Sequence, residues 1–240
     1  MKALQTQTRT ELVLTLRRGE SLLLILGIPL VLLAFFSSVD VLPKGDFTDQ
    51  VDFLAPGILA LAIMSTAMVQ LAIGTAFERQ YGVLRRLAMT PLGRGRLLAA
   101  KTGSIVAIEV AQIVLLLVLA RVLGWHPSVE IAVVAAIVLG TVAFAGLGML
   151  MAGTLRGEVT LAAANGLYLV LLLLGGMVVP LSELPSALRV VAEALPSGAL
   201  VEALVGTLTA GHSVPLHAWL VLLAWAIGAP ALAARLFRWQ

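Results

Sequence analysis

Chemistry in this sequence begins with one carboxylate in an expensive place. Glu109 is the only acid within six long apolar runs of the 240-residue chain, about two turns into the third run, with Gln112 one turn further on. A bare carboxylate at that depth must be neutral, paired or facing water. It either lines a polar route through the membrane or makes a structural hydrogen bond between helices, worth about 1 kcal/mol. Gln112, Gln70 and Asn165 carry the same two readings, so these four are the candidate pathway residues. Other reactive groups form no constellation. His126, His212 and His217 are too scattered for a metal site, and the acids from Asp40 to Asp52 lack the order of metal ligands. Gly95 to Thr102 nearly spells a phosphate-binding loop, but Ala100 stands where the second glycine belongs and an apolar run follows at once. No catalytic, cofactor-binding or metal residue is assigned.

The elements that hold these residues follow from composition. The chain is 60% hydrophobic and 12% charged, against about a quarter charged in soluble domains. Too little polar sequence is present to cover a water-facing surface, so the bilayer is the expected solvent. Cysteine is absent, which removes disulfides and thiolate metal sites. The N-terminal region is polar and basic, without the pattern of a cleavable signal, so the first apolar run is expected to remain in the membrane.

Runs of about 20 apolar residues predict spans at residues 21–37, 53–77, 102–123, 131–152, 160–179 and 216–237. Continuous rather than alternating hydrophobicity selects helices. Charge then orients them. One set of connections holds 13 of the 16 bases, from Lys2, Arg9, Arg17 and Arg18 through the 78–101 loop and Arg156 to Arg235 and Arg238. The opposite set holds only Lys44, Arg121 and Arg189, together with eight acids. By the positive-inside rule both termini are cytoplasmic.

Two further segments are apolar without spanning. Residues 1–20 predict an amphipathic helix lying in the interface. Residues 188–208 are cut at Pro196-Ser197-Gly198 and flanked by Glu193 and Glu202, which predicts two short re-entrant helices on the outer side, packed against the other helices. The fold expected is an all-α membrane protein, one domain over residues 1–240. It has six transmembrane helices, an N-terminal interfacial helix, a cytoplasmic helix at 78–92 and an extracellular re-entrant hairpin between spans 5 and 6.

The stretch from Glu78 to Leu92 carries the most information. Val83, Leu84 and Leu87 sit at helical spacing with Arg85 and Arg86 opposite, and Thr90-Pro91 ends the helix. This Glu-Arg-x-x-Gly-x-Leu-x-x-Leu-x-x-Thr-Pro pattern, after a span opening Pro56-Gly57, resembles the type-2 ABC exporter permeases, the membrane subunits of drug, antibiotic, lipid and polysaccharide exporters. Arg17-Arg18 before a span containing Pro29, and Gly175 to Pro185 followed by Leu195-Pro196, are similar to further parts of that family. The resemblance implies that Glu78, Arg79, Gly82, Leu84, Leu87, Thr90 and Pro91 contact an ATPase subunit as a coupling helix. It implies a second permease copy, itself or a paralogue, and ATP and Mg on the partner rather than on this chain. The implied activity is export of a lipophilic compound across the cell inner (plasma) membrane, with no nucleic acid involved. A stand-alone secondary transporter and a membrane-embedded enzyme are the alternatives. The first should show internal repeats and the second convergent catalytic residues; neither feature is evident.

Orientation can be tested directly. Because the chain lacks cysteine, Asp46→Cys, Arg94→Cys and Ser213→Cys each introduce a single thiol. An impermeant thiol reagent applied to intact cells should label positions 46 and 213 and spare 94; the reverse pattern would overturn the topology.

Overall fold

The computed structural model describes residues 8, 13, 19–39, 47, 49–88, 94–128, 130–209 and 211–238, with backbone alone at 19–22, 24, 85, 87–88 and 94–99. Its elements are α1 (Gly19–Ser38), α2 (Gln50–Gln80), α3 (Val83–Ala88), α4 (Arg94–Val122), α5 (Ala132–Thr154), α6 (Gly157–Leu174), α7 (Ser186–Ala194), α8 (Pro196–Leu208) and α9 (Leu216–Leu236). No strand occurs among the described residues. Among the described residues, five helices are long and apolar enough to cross a membrane: Gln50–Gln80, Ala100–Val122, Ala132–Thr154, Gly157–Leu174 and Leu216–Leu236. In α1 the apolar stretch Ile25–Ser38 is shorter. The interfacial helix expected over residues 1–20 falls almost wholly outside the described residues.

Helix bounds depart from the sequence reading where local chemistry intervenes. The third span was expected from Thr102, yet α4 is already helical at Arg94, so the near-miss phosphate loop is helix. The fifth was expected to reach Val179. It stops at Leu174, because Gly175 and Gly176 follow and Gly176 takes a left-handed φ of 73° that suits glycine. In α2 the α-helix is interrupted by a π-helical turn at Ser65–Gln70. At about 1.5 Å per residue, the 31 residues of α2 run some 46 Å, longer than the ~30 Å hydrocarbon core.

Small residues decide the packing. Helix α5 lies against α9, α2 and α8, and its glycines mark the crossings. A methyl group at Gly148 would sit 2.7 Å from the Met68 carbonyl oxygen in the π turn; at Gly146 it would sit 2.5 Å from Pro230 of α9; at Gly140 it would meet the Leu200 side chain of α8 at 2.8 Å. Lipid is as apolar as leucine, so close backbone approach is a principal source of attraction between membrane helices. Helix α8 is buried along almost its whole length, including Ser197, Leu200, Leu204 and Thr207. Amphipathic α7 leaves Leu188, Val190 and Val191 exposed. Between α7 and α8, Leu195 is extended and Pro196 starts the second helix, where its missing N–H costs nothing.

Substitution should separate contact glycines from idle ones. Gly148→Val drives a side chain into backbone, and folded yield in detergent should collapse. Gly228→Ala meets nothing within 4 Å and should be neutral or stabilising by about 0.5–1 kcal/mol. Equal tolerance at both positions in a thermal-stability assay would contradict the packing.

Candidate functional site

A cavity of about 770 Å³ opens between α1, α2, α4 and α6, within the ~300–1,000 Å³ of drug-sized pockets. Its wall is mostly apolar, with Ile25, Ile28 and Pro29 from α1, Val69, Ile73 and Phe77 from α2, and Tyr168 from α6. Polar groups are few: Ser65, Gln70, Thr75, Ser104 and Asn165. Gln70 closes the π turn, and its Oε1 is buried without a hydrogen-bond partner among the described residues. Asn165 Nδ2 donates to Leu161 O of its own helix at 2.8 Å. Glu78 and Lys101 also line the space, joined as an ion pair between the end of α2 and the start of the apolar part of α4. Lys101 is 5% exposed, and a buried ammonium needs such a partner.

The four candidate pathway residues therefore divide. Gln70 and Asn165 stand on the cavity wall, whereas Glu109 and Gln112 lie behind it in contacts between helices. Glu109 is 2% exposed and accepts a hydrogen bond from Thr141 Oγ1 of α5; the same hydroxyl is 2.8 Å from Ile137 O. Gln112 accepts from Thr66 Oγ1 of α2 at 2.8 Å and donates through Nε2 to Ile25 O of α1, also at 2.8 Å.

Below the cavity, α2 runs into a tight turn. Gly82 has a φ of 71°, a left-handed conformation that L side chains adopt at a cost, and it turns the chain into the short helix α3. Adjacent residues ahead of that turn fasten neighbouring helices. Arg79 donates to Gly153 O at 2.5 Å and to Leu155 O, placing a cation and donors at the C-terminus of α5, where carbonyls lack intrahelical partners. Gln80 Oε1 accepts from Gly157 N at 2.9 Å, serving the first turn of α6. Arg238 N also donates to Gly153 O at 3.0 Å. Of the expected ATPase contacts, Glu78 and Arg79 thus turn inward, Leu84 is buried, and Gly82 forms the turn. Among the described side chains from Glu78 to Arg86, Gln80, Tyr81 and Arg86 are exposed. Leu87 is helical in its backbone, and Thr90 and Pro91 lie outside the described residues.

The family model for the ABC-2 type transporter matches residues 2–209, from the N-terminal segment through α8 and one residue beyond. The chain belongs to that family. No curated protein matches it. It is a multi-pass membrane protein and a permease subunit of an ABC transporter. The helix of this ABC-2 permease that falls beyond the match, α9, is still integral to the fold, being packed along α5.

Several working residues escaped the sequence reading. The partner of Lys101 and the caps made by Arg79 and Gln80 depend on residues far apart in the chain, and the π turn shows only in the backbone. Only the run Glu78-Arg79-Gln80, three polar residues at the end of a span, signalled that the segment makes specific contacts.

Glu109 gives a clean substitution pair. Glu109→Gln keeps a hydrogen-bonding group beside Thr141 and should leave folded yield within about twofold, whereas Glu109→Leu should lower stability by about 1–2 kcal/mol. A pathway role predicts the opposite emphasis: altered substrate range in Glu109→Gln at normal yield. Measuring folded yield and transport together distinguishes them.

Proposed function

We propose that this permease is the membrane half of an ATP-driven exporter. It moves a lipophilic compound, a drug, antibiotic or lipid, out of the cytoplasm or inner leaflet. The observation that carries the reading is the cavity. Its volume suits one drug-sized molecule, its wall is apolar, and the few polar groups within it would orient rather than bind strongly. Gln70 and Asn165 are the pathway residues in this reading. Glu109 and Gln112 act behind the wall, holding the helices that form it.

Six spans complete the arrangement, with α1 as the first and both termini in the cytoplasm of a cell whose inner membrane houses the protein. The charge division of the connections supports this orientation. Helices α7 and α8 then lie on the outer side as the re-entrant pair. One permease supplies half of a pathway, so a second copy or a paralogue and two ATPase subunits complete the transporter. ATP and Mg are held by those subunits.

The segment from Glu78 to Pro91 is the ATPase contact. Within it Glu78 and Arg79 act from the inner side, tying the segment to α4 and α5, while Gly82 sets the angle at which α3 meets the partner. A short helix that follows directly on a span end tied to α4, α5 and α6 transmits displacement, which a slack loop cannot do.

The test is reconstitution with the ATPase subunit in inverted vesicles loaded against a lipophilic dye. Dye accumulation should require ATP. Gly82→Trp and Glu78→Gln should each reduce it at least about tenfold, by ~1.4 kcal/mol of lost coupling, while ATP hydrolysis and membrane insertion persist. Dye movement driven by an ion gradient without ATP would favour a secondary transporter and overturn the proposal. Full transport in both variants would reduce α3 to an anchor for topology.

A further inference from the structure

An α-helical carbonyl accepts from the N–H four residues later. In α1 the acceptor Ile25 faces Pro29, which has no N–H to give. That orphaned carbonyl lies within an apolar helix, where water is not at hand to replace the donor. Its hydrogen bond comes from another helix: Gln112 Nε2 of α4 reaches Ile25 O at 2.8 Å. The other end of the same amide is also engaged. Gln112 Oε1 accepts at 2.8 Å from Thr66 Oγ1, and Thr66 belongs to the π-helical turn of α2, where the regular hydrogen-bond ladder is displaced. Gln112 is 1% exposed and Thr66 fully buried.

We propose that Gln112 is a positioning residue that sets the width of the cavity, latching the proline break of α1 to the π turn of α2. On the cavity lining, α1 contributes Ile25 and Pro29, and α2 contributes Ser65, Val69 and Gln70. Each is, or lies within about one helical turn of, a bonded partner of Gln112, while Gln112 itself is not part of the lining. The two irregular points in the helices that flank the space are thus joined by one side chain. An amide suits the task because it donates and accepts at once; no apolar residue of equal size does either. The meaning of cavity width for transport rests on the exporter reading above, but the latch does not.

A double-mutant cycle on the full-length permease in detergent tests it. In the Pro29→Ala background the Ile25 carbonyl regains a donor from its own helix, and Gln112 becomes partly redundant. Gln112→Leu should lower the thermal midpoint by at least about 3 °C in the native background and by less than half as much beside Pro29→Ala. Nitroxide labels at Ile28→Cys and Val69→Cys, in this cysteine-free chain, report the gap itself. Their distance distribution should broaden in both Gln112→Leu and Thr66→Val, since either change breaks the bridge. If Gln112→Leu alone yields no folded protein, recovery of folding on adding Pro29→Ala supports the latch, and failure to recover overturns it. Equal loss in both backgrounds, or an unchanged label distance in both variants, would also overturn it. These readouts do not involve transport, so failure of the exporter reading would leave their outcome intact.

Discussion

Inside hydrocarbon, a peptide carbonyl or amide that loses its helical partner has no water to turn to, and this permease is organised around supplying substitutes. At several places where a helix starts, stops or breaks, a donor or acceptor comes from elsewhere in the chain. Arg79 serves the end of α5 and Gln80 the start of α6. Gln112 serves the proline break in α1. The end of α8 gives its Leu208 and Thr207 carbonyls to the backbone amides of Ser128 and Glu130. Trp225 of α9 donates its indole N–H to Ala194 O at the end of α7. Each of these bonds crosses between elements, so satisfying the backbone and fixing the tertiary arrangement are the same event.

Close approach of helices is what brings those partners within reach. The glycine-bearing face of α5 lets α2 and α9 come near enough for backbone to touch backbone. The Thr154 end of α5 consequently meets both Arg79 and Arg238. A single substituted methyl group on this face would move apart several hydrogen-bonded pairs that do not involve it. Polar groups, by contrast, are used sparingly and in pairs: Glu109 with Thr141, Glu78 with Lys101, His217 with Glu202 at 2.9 Å. In a low-dielectric interior an ionised or hydrogen-bonding group left alone is costly, and pairing is the general remedy.

Much of the fold was legible in the sequence because hydrophobic length and charge placement are local, additive signals. Among the described residues five helices meet the length and hydropathy of a span, and the break before Pro196 follows from the proline itself. The motif from Glu78 to Pro91 pointed to the family that the chain proved to match. Less legible was anything set by register between distant helices. Gln70 and Gln112 look alike in sequence, each a lone amide in an apolar run; one borders the cavity and the other is locked between helices, because the rotation of α2 and α4 decides which face they occupy. The helical start at Arg94 was hidden by glycine and arginine, residues that read as loop until the following helix extends through them. The π turn has no composition of its own. It is visible only in the folded backbone of Ser65–Gln70.

The pairing of α5 with α9 also bears on how the protein is made. These two helices share an extensive interface, yet three helices lie between them in the chain. During synthesis, at about 5–20 residues per second, α5 enters the bilayer seconds before its main partner exists. Its glycine face must meanwhile rest against lipid or whatever guides insertion. Non-local contacts of this kind slow the search for the native state, so assembly here is completed late, when α9 closes over a bundle already in place.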